Sequence, residues 1–245
     1  MLKITYGALL ALLLTLTATG CFIDIDDDSP FGCVDGEGPA VSETLDVSGF
    51  DGVVLRISAD VEVTQGPVFS VRAEGKANVI DELELDVRNG VWDIEFDDCV
   101  RDQGQLKIFI TMPDVRMLKV SGSGSIISTN QLQTADVELE ISGSGELDVA
   151  LQSDDVTARI SGSGDMRLEG LADELDARIS GSGEIFAFGL PVREANVEIS
   201  GSGDAEVTAN ERLRVRISGS GDVFYKGSPI LDVLVSGSGD VIDAN

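Results

Sequence analysis

Apolar and polar residues alternate along most of this chain with a period of two, the period of a strand that buries one face. In Asp136-Val137-Glu138-Leu139-Glu140-Ile141 the aliphatic residues fall on one side and the acids on the other. Glu174-Leu175-Asp176-Ala177-Arg178-Ile179 and Glu211-Arg212-Leu213-Arg214-Val215-Arg216-Ile217 repeat the pattern. Upstream, Val61-Glu62-Val63-Thr64, Leu83-Glu84-Leu85-Asp86-Val87, Val91-Trp92-Asp93-Ile94-Glu95-Phe96 and Gln105-Leu106-Lys107-Ile108-Phe109-Ile110 are strand-length runs separated by Gly, Asp or Asn turns. Asn89-Gly90, between two of these runs, is a hairpin signal, because a two-residue turn needs positive φ at both positions.

From residue 117 onward the strands are punctuated by an apolar residue followed by Ser-Gly-Ser-Gly and usually an acid. The motif begins at Ser121, Ser142, Ser161, Ser180, Ser200, Ser218 and Ser236, at intervals of 21, 19, 19, 20, 18 and 18 residues. A near-constant period of this size marks a solenoid, in which one coil cannot bury its apolar face without neighbours. About 19 residues hold two or three short strands but not a strand plus a crossover helix. The predicted fold is therefore all-β: a parallel β-solenoid (β-helix) with coils of about 19 residues stacked ~4.8 Å apart. Residues 43–116 are expected to form an N-terminal β cap region, or the first coils, and residues 117–245 the repeats. The last coil is expected to be thinly covered, with charge or self-association protecting its open edge.

Following the alternation through one motif, Ile179 points inward, Ser180, Ser182 and Glu184 point out, and Gly181 and Gly183 point in, where the wall must bend or approach another wall. A bulge would reverse this and bury the serines as an internal ladder; alternation alone leaves both arrangements open. The residue before the apolar position runs Lys119, Glu140, Arg159, Arg178, Glu198, Arg216, Leu234, a mixed-sign column that largely compensates itself. The residue after the motif runs Ser125, then Glu146, Asp165, Glu184, Asp204, Asp222 and Asp240. Neighbouring carboxylates one coil apart repel by under roughly 1 kcal/mol in water, so a solvated acidic stripe is tolerable. The same stripe is a candidate weak calcium site, because hard cations favour carboxylate oxygens. Ca²⁺ is the one cofactor the sequence suggests. The Ser-Gly-Ser-Gly-Asp segments resemble the calcium-binding nonapeptides of RTX proteins, but those recur twice per coil and these once.

Composition narrows the chemistry. The 245 residues include 44 acids against 17 bases and no histidine, a formal net charge of −27. Such a chain repels a polyanion, so nucleic acid is excluded as a partner. Catalysis by a histidine base and imidazole-ligated metals are excluded outright. At the N-terminus, Lys3, the apolar run Ala8–Leu16 and the small residues Thr17-Ala18-Thr19-Gly20 form an export signal over residues 1–20. The run is shorter than the ~20 residues a membrane-spanning helix needs. Residues 21–42, rich in acid, Gly and Pro, are expected to be a solvated tether before a solenoid spanning 43–244.

Leu16-Thr17-Ala18-Thr19-Gly20-Cys21 resembles a bacterial lipoprotein signal. The resemblance implies cleavage before Cys21, a lipid on that cysteine and attachment to a membrane; Phe22 in the next position favours the outer membrane, periplasmic or surface-exposed. With Cys21 lipidated, Cys33 and Cys99 remain as an even pair in an oxidising compartment, where a disulfide can persist. Two buried thiols are the alternative, and the acidic surroundings Asp97-Asp98-Cys99 and Cys33-Val34-Asp35 favour the disulfide.

Phe50-Asp51-Gly52-Val53-Val54-Leu55 with Val61-Glu62-Val63-Thr64-Gln65-Gly66, the Ser-Gly-Ser-Gly repeats, and the closing run from Ser218 through Asp222 and Tyr225 to Pro229 resemble the head GIN domain of auto-transporter adhesins. The resemblance covers residues 43–244. It implies an exported β-solenoid of the Gram-negative envelope, lipid-anchored or secreted, with no catalytic residues to carry over. Three readings of function follow. The first is a non-catalytic binding or adhesion module for a glycan or envelope protein. The second is a structural envelope scaffold, with homo-oligomers as a natural form. The third is a carbohydrate-active β-helix enzyme, which the uniform carboxylate column disfavours because no unique acid pair emerges.

Overall fold

The computed structural model describes residues 32–245; the expected export signal 1–20 and Cys21 lie outside the described residues. Cys33–Asn245 forms one compact unit. Its N-terminal part contains β1 (Val34–Asp35), β2 (Ala40–Leu45), β3 (Gly52–Leu55), β4 (Asp60–Gln65), β5 (Ser70–Lys76), the one-turn helix α1 (Ala77–Ile80), β6 (Val87–Arg88), β7 (Val91–Ile94), β8 (Val100–Asp102) and β9 (Lys107–Met112). The repeat part continues with β10 (Met117–Val120), β11 (Ser125–Ser128), β12 (Leu132–Gln133) and β13 (Asp136–Gly143). The long strands β14 (Glu146–Gly162), β15 (Asp165–Gly181), β16 (Glu184–Gly201) and β17 (Ala205–Gly219) follow, then β18 (Val223–Lys226), β19 (Ile230–Gly237) and β20 (Val241–Asp243).

The fold is the parallel β-solenoid that the repeat predicts. β14 runs 17 residues, well beyond the common strand length of 3–10 residues. This is possible because the hydrogen bonds run between coils, so the chain turns a corner without leaving the ladder. Pairing places equivalent motif positions directly over one another: Ile141, Ile160, Ile179, Ile199, Ile217 and Val235 form one stack. That stack continues back through Val120, Leu55 and Ile94. A second inward stack runs from Ile108 through Val61, Ile126, Leu147 and Met166 to Ile185. Period-two alternation thus becomes continuous aliphatic columns, and nearly all of these side chains are buried. At roughly 25 cal/mol per Å² of apolar surface removed from water, this core is the main source of stability.

The 20-residue interval between Ser180 and Ser200 is taken up by a register shift near Ala187–Pro191. The extra length leaves Phe188 on the outer surface, where the Lys226 ammonium lies 4.2 Å from its ring centroid.

The N-terminal region both begins and caps the solenoid. β3 and β4 form one layer, stacked against β10 and β11 on one side and against β7 and β9 on the other. The outermost layer, β7 with β9, therefore comes later in the chain than the layer beneath it. Its edges are covered by antiparallel strands: β6 on β7, β5 on β9, and β2 on β5. Asn89 and Gly90 take φ of 55° and 79° in the hairpin between β6 and β7, and the Trp92 indole N–H donates to the Glu84 carbonyl at 2.9 Å. Val79 and Ile80 of α1 are buried against the same end.

The solvated tether expected over 21–42 stops earlier than its composition suggests. Val34–Asp35 pairs with β8 and Ala40–Leu45 with β5, where backbone groups gain partners that acidic side chains do not prevent. Cys33 and Cys99 are joined by a disulfide, which fastens this segment to β8. At the opposite end, β19 pairs with β17 and β20 with β18.

Candidate binding surface

Each motif turns a corner of the solenoid. Gly143, Gly162, Gly181, Gly201, Gly219 and Gly237 have φ between 136° and 145°, a region that residues with a Cβ rarely enter. A Cβ on Gly181 would also lie 2.2 Å from the carbonyl oxygen of Gly162 in the coil below. The second glycine of the motif is buried, and a Cβ on Gly183 would meet the Gly164 oxygen at 2.3 Å. The ladder continues through the bend: Ser182 N–H donates to Gly162 at 2.9 Å, and Ser202 and Ser220 N–H to Gly181 and Gly201 at 2.8 Å. These segments are therefore ordered parts of the wall, and both motif serines face outward; the inward ladder does not form.

Between the outward residue before the isoleucine and the first outward serine lies a groove of about 530 Å³ that crosses the coils. Ser161, Ser180, Ser200, Ser218 and Ser236 line one side, and Glu140, Arg159, Arg178, Glu198, Arg216 and Leu234 the other; Ile160, Ile179, Ile199 and Ile217 between them turn their side chains into the core. Among the described residues, none of these serine hydroxyls has a protein hydrogen-bond partner, whereas Ser125, Ser128 and Ser153 spend theirs on protein groups. The charged side is internally paired. Lys119 bonds Glu140 at 2.8 Å, Arg178 bonds Asp176 at 2.9 Å and Glu198 at 3.1 Å, and Arg159 pairs with Glu138. Asp232 is held below the usual carboxylate range by hydrogen bonds from Arg216 and Arg214. On the same wall, the Arg193 guanidinium, seconded by Arg212, likewise lowers Glu194. Paired guanidiniums leave their aliphatic stems to the groove.

The acidic column is a single stack. Glu146, Asp165 and Glu184 are register partners. Asp204 Oδ1 accepts from the Asp222 N–H at 2.7 Å, and Asp222 Oδ1 accepts from the Asp240 N–H at 2.8 Å. These two carboxylates therefore substitute for rungs of the backbone ladder. Among the described residues no three acidic or other ligating side chains converge on a point that could hold a metal ion. Cys21, the expected lipid site, lies outside the described residues, and no described helix is long and apolar enough to cross a membrane.

The serine and mixed-charge columns are readable from sequence as two separate rows. That they flank one groove depends on the angle of the glycine bend, for which the sequence signal is only the recurring Ile-Ser-Gly step.

The solenoid is shared with solved structures. A putative adhesin from Bacteroides fragilis NCTC 9343 aligns with a TM-score of 0.78 and 24% identity, over 85% of this chain and 98% of that one. A putative lipid binding protein from Parabacteroides distasonis ATCC 8503 aligns with a TM-score of 0.73 and 24% identity, over 86% and 99%. A putative adhesin from Parabacteroides merdae ATCC 43184 aligns with a TM-score of 0.70 and 23% identity, over 86% and 99%. No curated protein matches the sequence. The family described as "Putative auto-transporter adhesin, head GIN domain" matches residues 49–229, from just before β3 to just before β19, and the chain belongs to that family.

Proposed function

We propose that this protein is a non-catalytic binding module of the cell envelope, held at the outer membrane by a lipid on Cys21, and that its serine-lined groove lies along an extended, uncharged glycan. The observation that carries the reading is the row of unspent serine hydroxyls facing the aliphatic stems of Arg159, Arg178 and Arg216. An extended glycan offers hydroxyls and an apolar ring face at each sugar, and the coils present one groove serine per strand spacing (~4.8 Å). The net charge of −27 favours a neutral polymer over an acidic one.

The test is binding of the Cys33–Asn245 unit to a panel of neutral and acidic glycans and envelope polysaccharides. Each hydroxyl contact contributes about 0.5–1.5 kcal/mol, so Ser180→Ala with Ser200→Ala weakens glycan binding about tenfold with little change in melting temperature. Absence of any bound glycan, or equal binding by the double variant, refutes the groove assignment. For the anchor, Cys21→Ser moves the protein from the membrane to the soluble fraction, and persistent membrane association refutes the lipid.

A further inference from the structure

The end of the solenoid formed by β19 differs from the rest of the surface. Its outward residues Ile230 and Leu234 are 74% and 61% exposed, and its inward residues Leu231, Val233 and Val235 are 44%, 42% and 37% exposed. One coil below, the residues in the same inward positions are exposed by 2% or less. Among the described residues β19 pairs only with β17, so its outer backbone edge is free. An apolar edge of this kind is a template for another strand.

We propose that a second copy of the same chain docks on this end, tail to tail, through a two-fold contact that pairs β19 antiparallel with its counterpart. Charge selects the place. Two chains of −27 repel over most of their surface, but along β19 the outward positions are Ile230, Asp232, Leu234 and Ser236, with Asp232 the one charge. Its carboxylate is already paired with Arg214 at 3.2 Å and Arg216 at 3.3 Å. Register selects the mode. Opposed residues of an antiparallel pair point to the same face, so a two-fold axis at Val233 sets Leu231 of one copy against Val235 of the other inside. On the outside Asp232 then meets Leu234 and not a second carboxylate, and the two open cores become one.

The other end does not invite head-to-tail growth. Its core is closed by β2, β5, β6 and α1, and β2 presents Ser42, Glu43 and Thr44 in its middle. A two-fold contact closes at two copies, whereas a head-to-tail contact extends into a filament. One coil end is a small interface, below the ~1,200 Å² total of stable complexes, so association falls in the micromolar range.

Sedimentation equilibrium of the Cys33–Asn245 unit across micromolar concentrations is the test. The expected result is a reversible monomer–dimer equilibrium with no larger species. Leu234→Glu raises the dimer dissociation constant at least about tenfold, and Ile230→Glu, at the more exposed position, does the same. Leu171→Glu, an exposed leucine in the middle of the solenoid, leaves the equilibrium unchanged. A unit that stays monomeric, growth beyond the dimer, or unchanged dimerisation in both glutamate variants overturns the proposal.

Discussion

The N-terminal layers and the motif-bearing coils bury the same kind of inward column, yet they are built in opposite ways. In the repeats the core is a stack of Ile, Val, Leu and Ala with one Met, each coil nearly a copy of the last, with corners made by glycine. In the N-terminal layers the core is irregular: Phe50 packs against Phe69 and Trp92 with ring centroids 5.3 and 5.6 Å apart. The covering strands run antiparallel, and chain order and stacking order part company. The difference follows from position. A coil with a neighbour on each side needs only to match those neighbours, so identical small residues suffice. A layer at the end of the stack has to close a core that has no neighbour, and this takes large side chains, covering strands and a cross-link. The β19 end keeps the repeat chemistry, and among the described residues it has none of these.

Four variants test this contrast. The largest effect belongs to the repeat region: Gly181→Val combines a forbidden φ with a clash against the neighbouring backbone and costs more than about 4 kcal/mol. A fall in melting temperature of only a few degrees would show that the coils yield independently. In the cap, Trp92→Ala removes a fully buried side chain and costs about 3–5 kcal/mol, with the loss of protection confined at first to the N-terminal layers in hydrogen exchange. Replacing Cys33 and Cys99 by serine opens a closure of 66 residues and costs about 2–4 kcal/mol; a thermal midpoint unchanged by the double variant or by reductant would mean that β1 and β8 hold the segment without it.

The smallest effect is electrostatic. The Arg116 guanidinium, hydrogen-bonded to Asp51, keeps that carboxyl below its ordinary value of 3.8. A depressed carboxylate contributes stability that is fully present above the unfolded pKa and is lost as pH falls through the lower folded value. Asp51→Asn therefore costs under about 1 kcal/mol at neutral pH, as befits a partly exposed pair. The gap between the two melting temperatures closes as the pH drops below 3.8; a gap that persists would assign the effect to packing.

Much of this architecture is legible in the residues themselves. Period-two alternation named the inward set, the spacing of Ser-Gly-Ser-Gly named the coil, and Asn89-Gly90 named a hairpin, because each of these signals is local and sterically enforced. The end of the tether is not legible in this way, for the opposite reason. Val34–Asp35 and Ala40–Leu45 have little that marks them as ordered until β8 and β5 offer backbone partners. The acidic column was visible as a row of carboxylates. That Asp204 and Asp222 turn theirs onto the N–H groups of the next coil was not, because a side-chain rotamer depends on what lies one coil away.

The sequence alone determined the repeat, its register and the identity of the columns, since a period written into the chain forces equivalent residues to stack once one coil has formed. Contacts between distant segments settled the rest: that the layer of β7 and β9 lies outside that of β3 and β4, that the serines flank a groove, and that among the described residues one end is covered and the other is not. Those outcomes depend on which non-adjacent backbones meet and at what angle, and no local pattern of apolar and polar residues encodes an angle.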